Sequence, residues 1–318
     1  MTVDPDFHER YERALASLRG LSVGDALGSQ FSIPANYGVL QSGGLPAGPW
    51  RWSDDTEMAA SVMAGLVVHG RIDQDTLAAS FAEHHDAARG YSANVDRMLR
   101  AIRQEGGDWR ELAAGIFNGQ GSWGNGAAMR VAPLGAWYAG DMEQAAHQAE
   151  ISAYTTHQHR EAVVGAMAVA TAAALVADLP GPKAPAELLT EVLELMPRSA
   201  VQAGLRRARD MIDYADVGTV AAVLGCGRRT SAPDTVPFAL WAVARHLDDY
   251  EGALRSTARA GGDVDTTCAI VGGIVAARPS GAPPLEWERR TEPLPDWLQG
   301  HFRHKGGTGA AEADAGVR

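Results

Sequence analysis

Cysteine is scarce in this chain of 318 residues, where only Cys226 and Cys268 occur. Two cysteines cannot staple a chain of this size, which argues against a disulfide-built secreted scaffold and for a cytoplasmic setting. Long apolar runs are lacking too. The nearest approach, Ala162 to Leu179, is alanine-rich and carries Asp178, so it reads as a buried helix and not a membrane span. The opening stretch, Met1 to Arg13, is charged and has no apolar signal core. Positive charge is in deficit: 28 Lys and Arg face 39 Asp and Glu, a net −11. That balance disfavours nucleic acid or an anionic membrane as the main partner. It also poses a difficulty for any anionic substrate, which bound divalent cations would relieve. No segment shows the sustained alternation of a strand, and no repeat of solenoid length is visible.

What remains is helical period. Phe7, Tyr11, Leu15, Leu18 and Leu21 recur at three- and four-residue spacing, with charged residues on the other faces. The same test predicts helices over 54–69, 73–88, 92–105, 108–117, 125–139, 141–153 and 157–178. It continues with 185–196, 198–215, 217–225, 235–248, 249–260 and 265–277. Two glycine-bearing stretches, Ser32 to Arg51 and Asn118 to Gly126, interrupt the pattern, and long irregular loops in a compact domain are usually functional. One all-α domain over 1–300 is the simplest organisation, followed by a Gly/Ala/Glu-rich tail at 301–318 that reads as disordered.

Two acidic helix starts stand out. In Ser53-Asp54-Asp55-Thr56-Glu57 a hydroxyl and adjacent carboxylates sit where a loop turns into a helix. Asp54 with Glu57 fits a capping box, while the oxygen-only donor set fits a hard cation such as Mg²⁺ or Mn²⁺. In Gly262-Asp263-Val264-Asp265-Thr266 alternate carboxylates open a helix of small residues, and capping is again the plain alternative. If Asp54, Asp55, Asp263 and Asp265 meet, four negative charges require balance, which two divalent ions would provide.

The stretch from Gly119 to Arg130 holds Gly119, Gly121, Gly124 and Gly126. It lacks the Gly-Lys-Ser/Thr of a Walker loop and follows no strand, but its backbone N–H groups suit phosphate oxygens. Trp123 within it is either a core residue or a stacking platform. In Thr155-Thr156-His157-Gln158-His159 the two histidines point to different faces, so they do not chelate together, and His157 is the better candidate. His84, His85, His301 and His304 read as surface residues.

These elements in this order resemble the ADP-ribosylglycohydrolase family. The match starts at Gly24-Asp25-Ala26-Leu27-Gly28 and passes through Ser53-Asp54-Asp55-Thr56, Gly124-Asn125-Gly126 with Met129-Arg130, and Ser152 to His157. It closes at Gly262-Asp263-Val264-Asp265-Thr266, covering about 14–278. The resemblance implies a single orthogonal all-α bundle whose central cleft holds two Mg²⁺ (or Mn²⁺) ions. It implies Ser53, Asp54, Asp55, Asp263, Asp265 and Thr266 as metal ligands, and hydrolysis of an ADP-ribosyl N- or O-glycosidic bond. Substrate contacts are then expected from Trp123, Gly124, Asn125, Gly126, Met129, Arg130 and His157. Asp54 or Asp55 is expected to activate water for attack on the ribose. One position departs from the pattern: the family usually has Glu four residues beyond Gly28, where this chain has Ser32. That departure keeps open an ADP-ribose-binding or immunity-type module with little turnover. A metal phosphohydrolase acting on ADP-ribose phosphate or a nucleotide is the rival enzyme.

Overall fold

The computed structural model describes residues 6–298, so the tail from 301 with His301 and His304 lies outside the described residues. The first half contains α1 (Phe7–Ser29), α2 (Tyr37–Gln41), α3 (Asp54–His69), α4 (Gln74–His84), α5 (Ala93–Glu105), α6 (Trp109–Gly119) and α7 (Ala132–Trp137). The middle is α8 (Met142–Tyr154), α9 (Arg160–Ala177), α10 (Pro185–Leu195), α11 (Ala200–Asp210) and α12 (Val217–Leu224). The chain closes with α13 (Ala232–Arg245), α14 (Tyr250–Arg259), α15 (Val264–Val275) and α16 (Leu285–Arg290). Among the described residues no strand forms; two isolated bridges join Trp50 to Thr291 and Gly124 to Ser231. The molecule is all-α, as its periodicity requires.

The deviations from the predicted helices have local causes. The 125–139 segment divides into a 3-10 turn over Asn125–Ala127 and α7, with Pro133 in the first turn of the second piece. Helix α9 starts at Arg160 because His159 caps it, accepting from the Glu161 N–H. Helices α2 and α16 are five and six residues long, too short for a period to show in sequence.

Helix α1 and helix α15 make the most extensive helix–helix contact in the molecule. Gly20, Gly24 and Gly28 recur every four residues and therefore share one face of α1. A Cβ on Gly24 would stand 2.2 Å from the Cys268 carbonyl oxygen, and one on Gly28 would stand 2.5 Å from the Asp265 Cα. Both obstacles are backbone, so neither can rotate aside. The glycines thus let two helix backbones touch, and that contact brings Asp25 beside the start of α15. Gly24→Ala is expected to cost roughly 3 kcal/mol through overpacking. A urea midpoint matching the unsubstituted protein would contradict this account of the packing.

The core is one continuous cluster running from Ala14 to Leu298, with alanine-rich α9 at its centre. Helix α9 is long and apolar enough to cross a membrane by composition, but 78% of its apolar window is buried inside the protein. A small second cluster of Ala78, Met98, Trp109 and Ala113 joins α4, α5 and α6.

Candidate active site

The starts of α3 and α15, more than 200 residues apart in sequence, meet in the fold. Thr266 Oγ1 donates to Asp55 Oδ2 across this junction at 3.4 Å. Ser53 is the N-cap of α3; its Oγ accepts from the Asp55 N–H at 3.2 Å and lies 2.9 Å from Asp55 Oδ2. The capping box expected of Asp54 and Glu57 does not form. Glu57 turns away instead and accepts from the Asp86 N–H and the Tyr91 hydroxyl, at 3.0 and 2.7 Å. Asp263 occupies the N-cap of α15 but makes no side-chain capping bond. Its Oδ2 accepts from Asn125 Nδ2 at 2.7 Å, which ties the glycine-rich loop to the acidic cluster. Plain helix capping therefore leaves Asp54 and Asp263 unexplained.

Asp25 is the site residue that residue-by-residue reading missed. It is fully buried on α1, and its carboxylate accepts from the Ser53 N–H, the Thr56 N–H and, at 2.6 Å, the Thr56 hydroxyl. A carboxylate from one helix thus caps another, anchoring the turn that carries Ser53, Asp54 and Asp55. The signal was available as an acid flanked by close-packing glycines, Gly24 and Gly28.

The electrostatics of the cluster are unfavourable without a counter-charge. Burial, opposed by the Thr56 hydrogen bond and reinforced by the charge of Asp265, holds the Asp25 carboxyl up at about 6. Burial and the neighbouring Asp265 raise Asp263 to about 7. Burial, followed by the other aspartates, pushes Asp54 and Asp55 well above the usual carboxylate range. Asp55 Oδ1 is buried with no hydrogen-bond partner, a costly arrangement for a polar oxygen unless something else binds it. Carboxylate and hydroxyl oxygens in this number are the donor set of a hard divalent cation, and the orphaned oxygen fits that chemistry. Among the described residues no three His, Cys, Asp or Glu side chains are grouped closely enough, as placed, to hold a metal ion. The fit rests on donor chemistry and on Asp55 Oδ1.

Around this cluster lies a cleft of about 320 Å³, lined by Asp54, Asp55, Asp263, Asp265 and Thr266 on one side. The other side is Gly124, Asn125, Gly126, Met129 and His157, with Phe117 and Trp123 also in the lining. Trp123 is 55% exposed and meets His159 edge-on, so it is not a core residue. Phe117, which the sequence did not single out, is 53% exposed. Its backbone and that of Asn118 are left-handed, with φ of 52° and 57°, a conformation costly for a bulky side chain. A larger cavity of about 390 Å³, lined by Phe31, Tyr37, Arg255 and Arg259 among others, contains no carboxylate and lies apart from this chemistry.

Arg130, His84 and His85 sit differently from the sequence reading, and Ser32 stays outside the cleft. Arg130 is buried behind the glycine-rich loop, not in the cleft. It donates to the Gly126 and Ser152 carbonyls and to the Thr155 and Thr156 hydroxyls, and stands over the Phe81 ring. Burial lowers its pKa to about 9. Ser32 is exposed and does not line the cleft, so nothing at that position replaces the carboxylate the resemblance leads one to expect. His84 and His85 are packed and not free surface groups: His84 stacks on Trp297 and His85 Nε2 lies 3.1 Å from Asp96 Oδ1.

The segment entering the site is braced from the far end of the chain. Arg89 lies over the Trp52 ring, donates to the Trp52 carbonyl and forms a two-pronged bond to Glu292. Trp52 Nε1 donates to the Pro293 carbonyl. The residue before Ser53 is thereby fixed on both backbone and side chain. Arg89→Ala is expected to weaken divalent-cation binding about tenfold, the equivalent of one charge-assisted hydrogen bond. A calorimetric titration giving unchanged affinity would contradict that bracing role.

The helical fold and the order of its acidic helix starts along the chain have counterparts among known proteins. The family model for ADP-ribosylglycohydrolase matches residues 6–305. A solved structure described as an ADP-ribosylglycohydrolase-related protein complex superposes with a TM-score of 0.66 at 27% identity, covering 92% of this chain and 96% of that one. The human ADP-ribosylhydrolase ARH3 is 28% identical over 71% of this chain and 70% of its own length. The ADP-ribosylarginine hydrolase Tri1 of Pseudomonas putida is 26% identical over 90% of this chain and 75% of its own. The chain belongs to the ADP-ribosylglycohydrolase family.

Proposed function

We propose that this protein is a divalent-cation-assisted hydrolase that releases ADP-ribose from a modified protein or small molecule. The observation that carries the reading is the meeting of Asp54 and Asp55 with Asp263 and Asp265 in one cleft whose mouth is aromatic. Ser53, Asp54, Asp55, Asp263, Asp265 and Thr266 would hold two Mg²⁺ or Mn²⁺ ions. When bound, these ions would balance the carboxylates and supply Lewis-acid polarisation of the ribose hydroxyls and water.

The chain's own groups account for the rest. Gly124 and Gly126 let the His157 ring pack against the loop, so a pyrophosphate entering the cleft would meet loop backbone and imidazole together. Phe117 and Trp123 offer ring faces on which a purine can stack. A carboxylate of the Asp54–Asp55 pair takes a proton from water as its oxygen attacks the anomeric carbon. The glycosidic bond to the carrier breaks, its electron pair goes to the leaving atom, and the proton removed from water is delivered there. Relatives named as hydrolases of ADP-ribosyl bonds, one of them of ADP-ribosylarginine, support this reaction class.

The test is a panel of arginine-linked, serine-linked and O-acyl ADP-ribose incubated with Mg²⁺ or Mn²⁺, with products separated by chromatography. Free ADP-ribose from at least one substrate is expected. Release of inorganic phosphate alone would instead establish a phosphohydrolase. Saturable ADP-ribose binding with no turnover on the whole panel would favour a binding module, the reading that Ser32 keeps in play.

A further inference from the structure

We propose that Arg130 and Thr156 act as positioning residues that fix the tautomer of His157. In this arrangement His157 presents Nε2–H to the cleft as a permanent hydrogen-bond donor for an acceptor oxygen of the substrate. The substrate part of this statement rests on the ADP-ribose reading above; the tautomer part does not.

Donor and acceptor accounting leads to it. Arg130 Nη1 lies 2.9 Å from Thr156 Oγ1, and a guanidinium can only donate, so Thr156 Oγ1 accepts there. Thr156 is fully buried, and its hydroxyl proton needs an acceptor of its own. The group in reach is His157 Nδ1, at 2.7 Å. Nδ1 therefore accepts and carries no proton. The opposite arrangement, Nδ1–H donating to Thr156, would leave the buried hydroxyl proton without a partner.

A doubly protonated ring is excluded by its surroundings. His157 is 3% exposed and shares Thr156 with a buried guanidinium. Burial first and the charge of Arg130 second push its pKa down to about 3. The ring is neutral at physiological pH, and its one proton sits on Nε2. Among the described residues Nε2 has no hydrogen-bond partner. It faces the glycine-rich loop: a Cβ on Gly124 would stand 3.2 Å from it and one on Gly126 3.0 Å. The missing Cβ atoms let the Nε2 edge of the ring lie against the loop, in the wall of the cleft that His157, Gly124 and Gly126 line together. The Nε2–H donor is a fixed dipole of the kind that binds phosphate oxygens without changing protonation state, and it does not serve as a general acid or base.

The experiment is two-bond ¹H–¹⁵N correlation NMR on ¹⁵N-histidine-labelled full-length protein, with His157 assigned from the spectrum of His157→Gln. The unsubstituted protein is expected to show Nε2 protonated and Nδ1 bare. Thr156→Ser keeps the hydroxyl and should keep this pattern, whereas Thr156→Val should admit the Nδ1–H form. With an ADP-ribosyl substrate, Thr156→Val should raise KM about tenfold, the equivalent of one lost hydrogen bond, with kcat far less affected. An Nδ1-protonated or charged His157 in the unsubstituted protein would overturn the proposal. So would a Thr156→Ser spectrum that no longer resembles it, which covers the case in which Thr156→Val does not fold. If the NMR pattern holds but no ADP-ribosyl substrate is turned over, the functional reading fails and the tautomer assignment stands.

Discussion

Asp55→Ala is expected to reduce ADP-ribose release by about 10³-fold, within the range that loss of a general base or of a key charge in a cleft spans. Asp55 is at once a donor for a cation and one of two candidates to take the proton from water. Its carboxylate is 2% exposed and bonded to Ser53 and Thr266, with its second oxygen unpartnered. Removing it takes away the one direct side-chain bond that joins the two acidic helix starts among the described residues. The side chain is small and the helix cap at Ser53 Oγ uses the Asp55 backbone N–H, so the fold should survive. Activity is measured at saturating Mn²⁺ by chromatography, with circular dichroism as the control for folding. A folded variant within tenfold of the parent rate would remove Asp55 from the chemistry.

The second large effect is an inverted pH dependence of stability in the chelator-treated protein. Asp25 is held at about 6 and Asp263 at about 7, while Asp54 and Asp55 stand well above their ordinary range. Unfolded, all four ionise near pH 4. Between roughly pH 4 and 7 the folded state therefore binds more protons than the unfolded chain, and stability falls as pH rises through that window. For Asp25 alone the difference is on the order of 3 kcal/mol. His157 works the other way: its folded pKa is depressed to about 3, so it costs stability as pH falls below the ordinary imidazole range. Four carboxylates outweigh one imidazole. Without cations the protein should melt higher at pH 5.5 than at pH 7.5, and saturating Mn²⁺ should reverse the order by competing with protons for the same oxygens. Scanning calorimetry with and without Mn²⁺ decides it. Higher stability at pH 7.5 in the cation-free protein would mean that the aspartates are not crowded as described.

Much of this was legible in the residues. The three- and four-residue spacing gave the helical class, and the hydroxyl-plus-carboxylate helix starts marked both halves of the site. The meeting of those halves was not legible from spacing, because it depends on α1 and α15 touching at Gly24 and Gly28. Sequence read residue by residue treats those glycines as permissive, when in the fold they are places where a Cβ would strike backbone. Asp25 was missed for the same reason: its partners, Ser53 and Thr56, lie about 30 positions away. Arg130 was misplaced because an arginine beside a glycine-rich loop reads equally as a phosphate ligand or as a buried brace. Only its contacts with Ser152, Thr155 and Thr156 separate the two. Phe117 was overlooked because it lies at the end of an amphipathic period, where an aromatic is usually core, and the left-handed turn that exposes it has no strong sequence mark.

On the proposed reading, acids at the starts of α3 and α15 grip the same divalent ions. Calorimetric titration of Mn²⁺ into chelator-treated protein measures this directly, comparing the parent with Asp55→Asn and Asp265→Asn. Saturable binding that either substitution alone weakens severely is the expected result. Binding left intact by one of the two, or no saturable binding in the parent at all, would contradict a shared site.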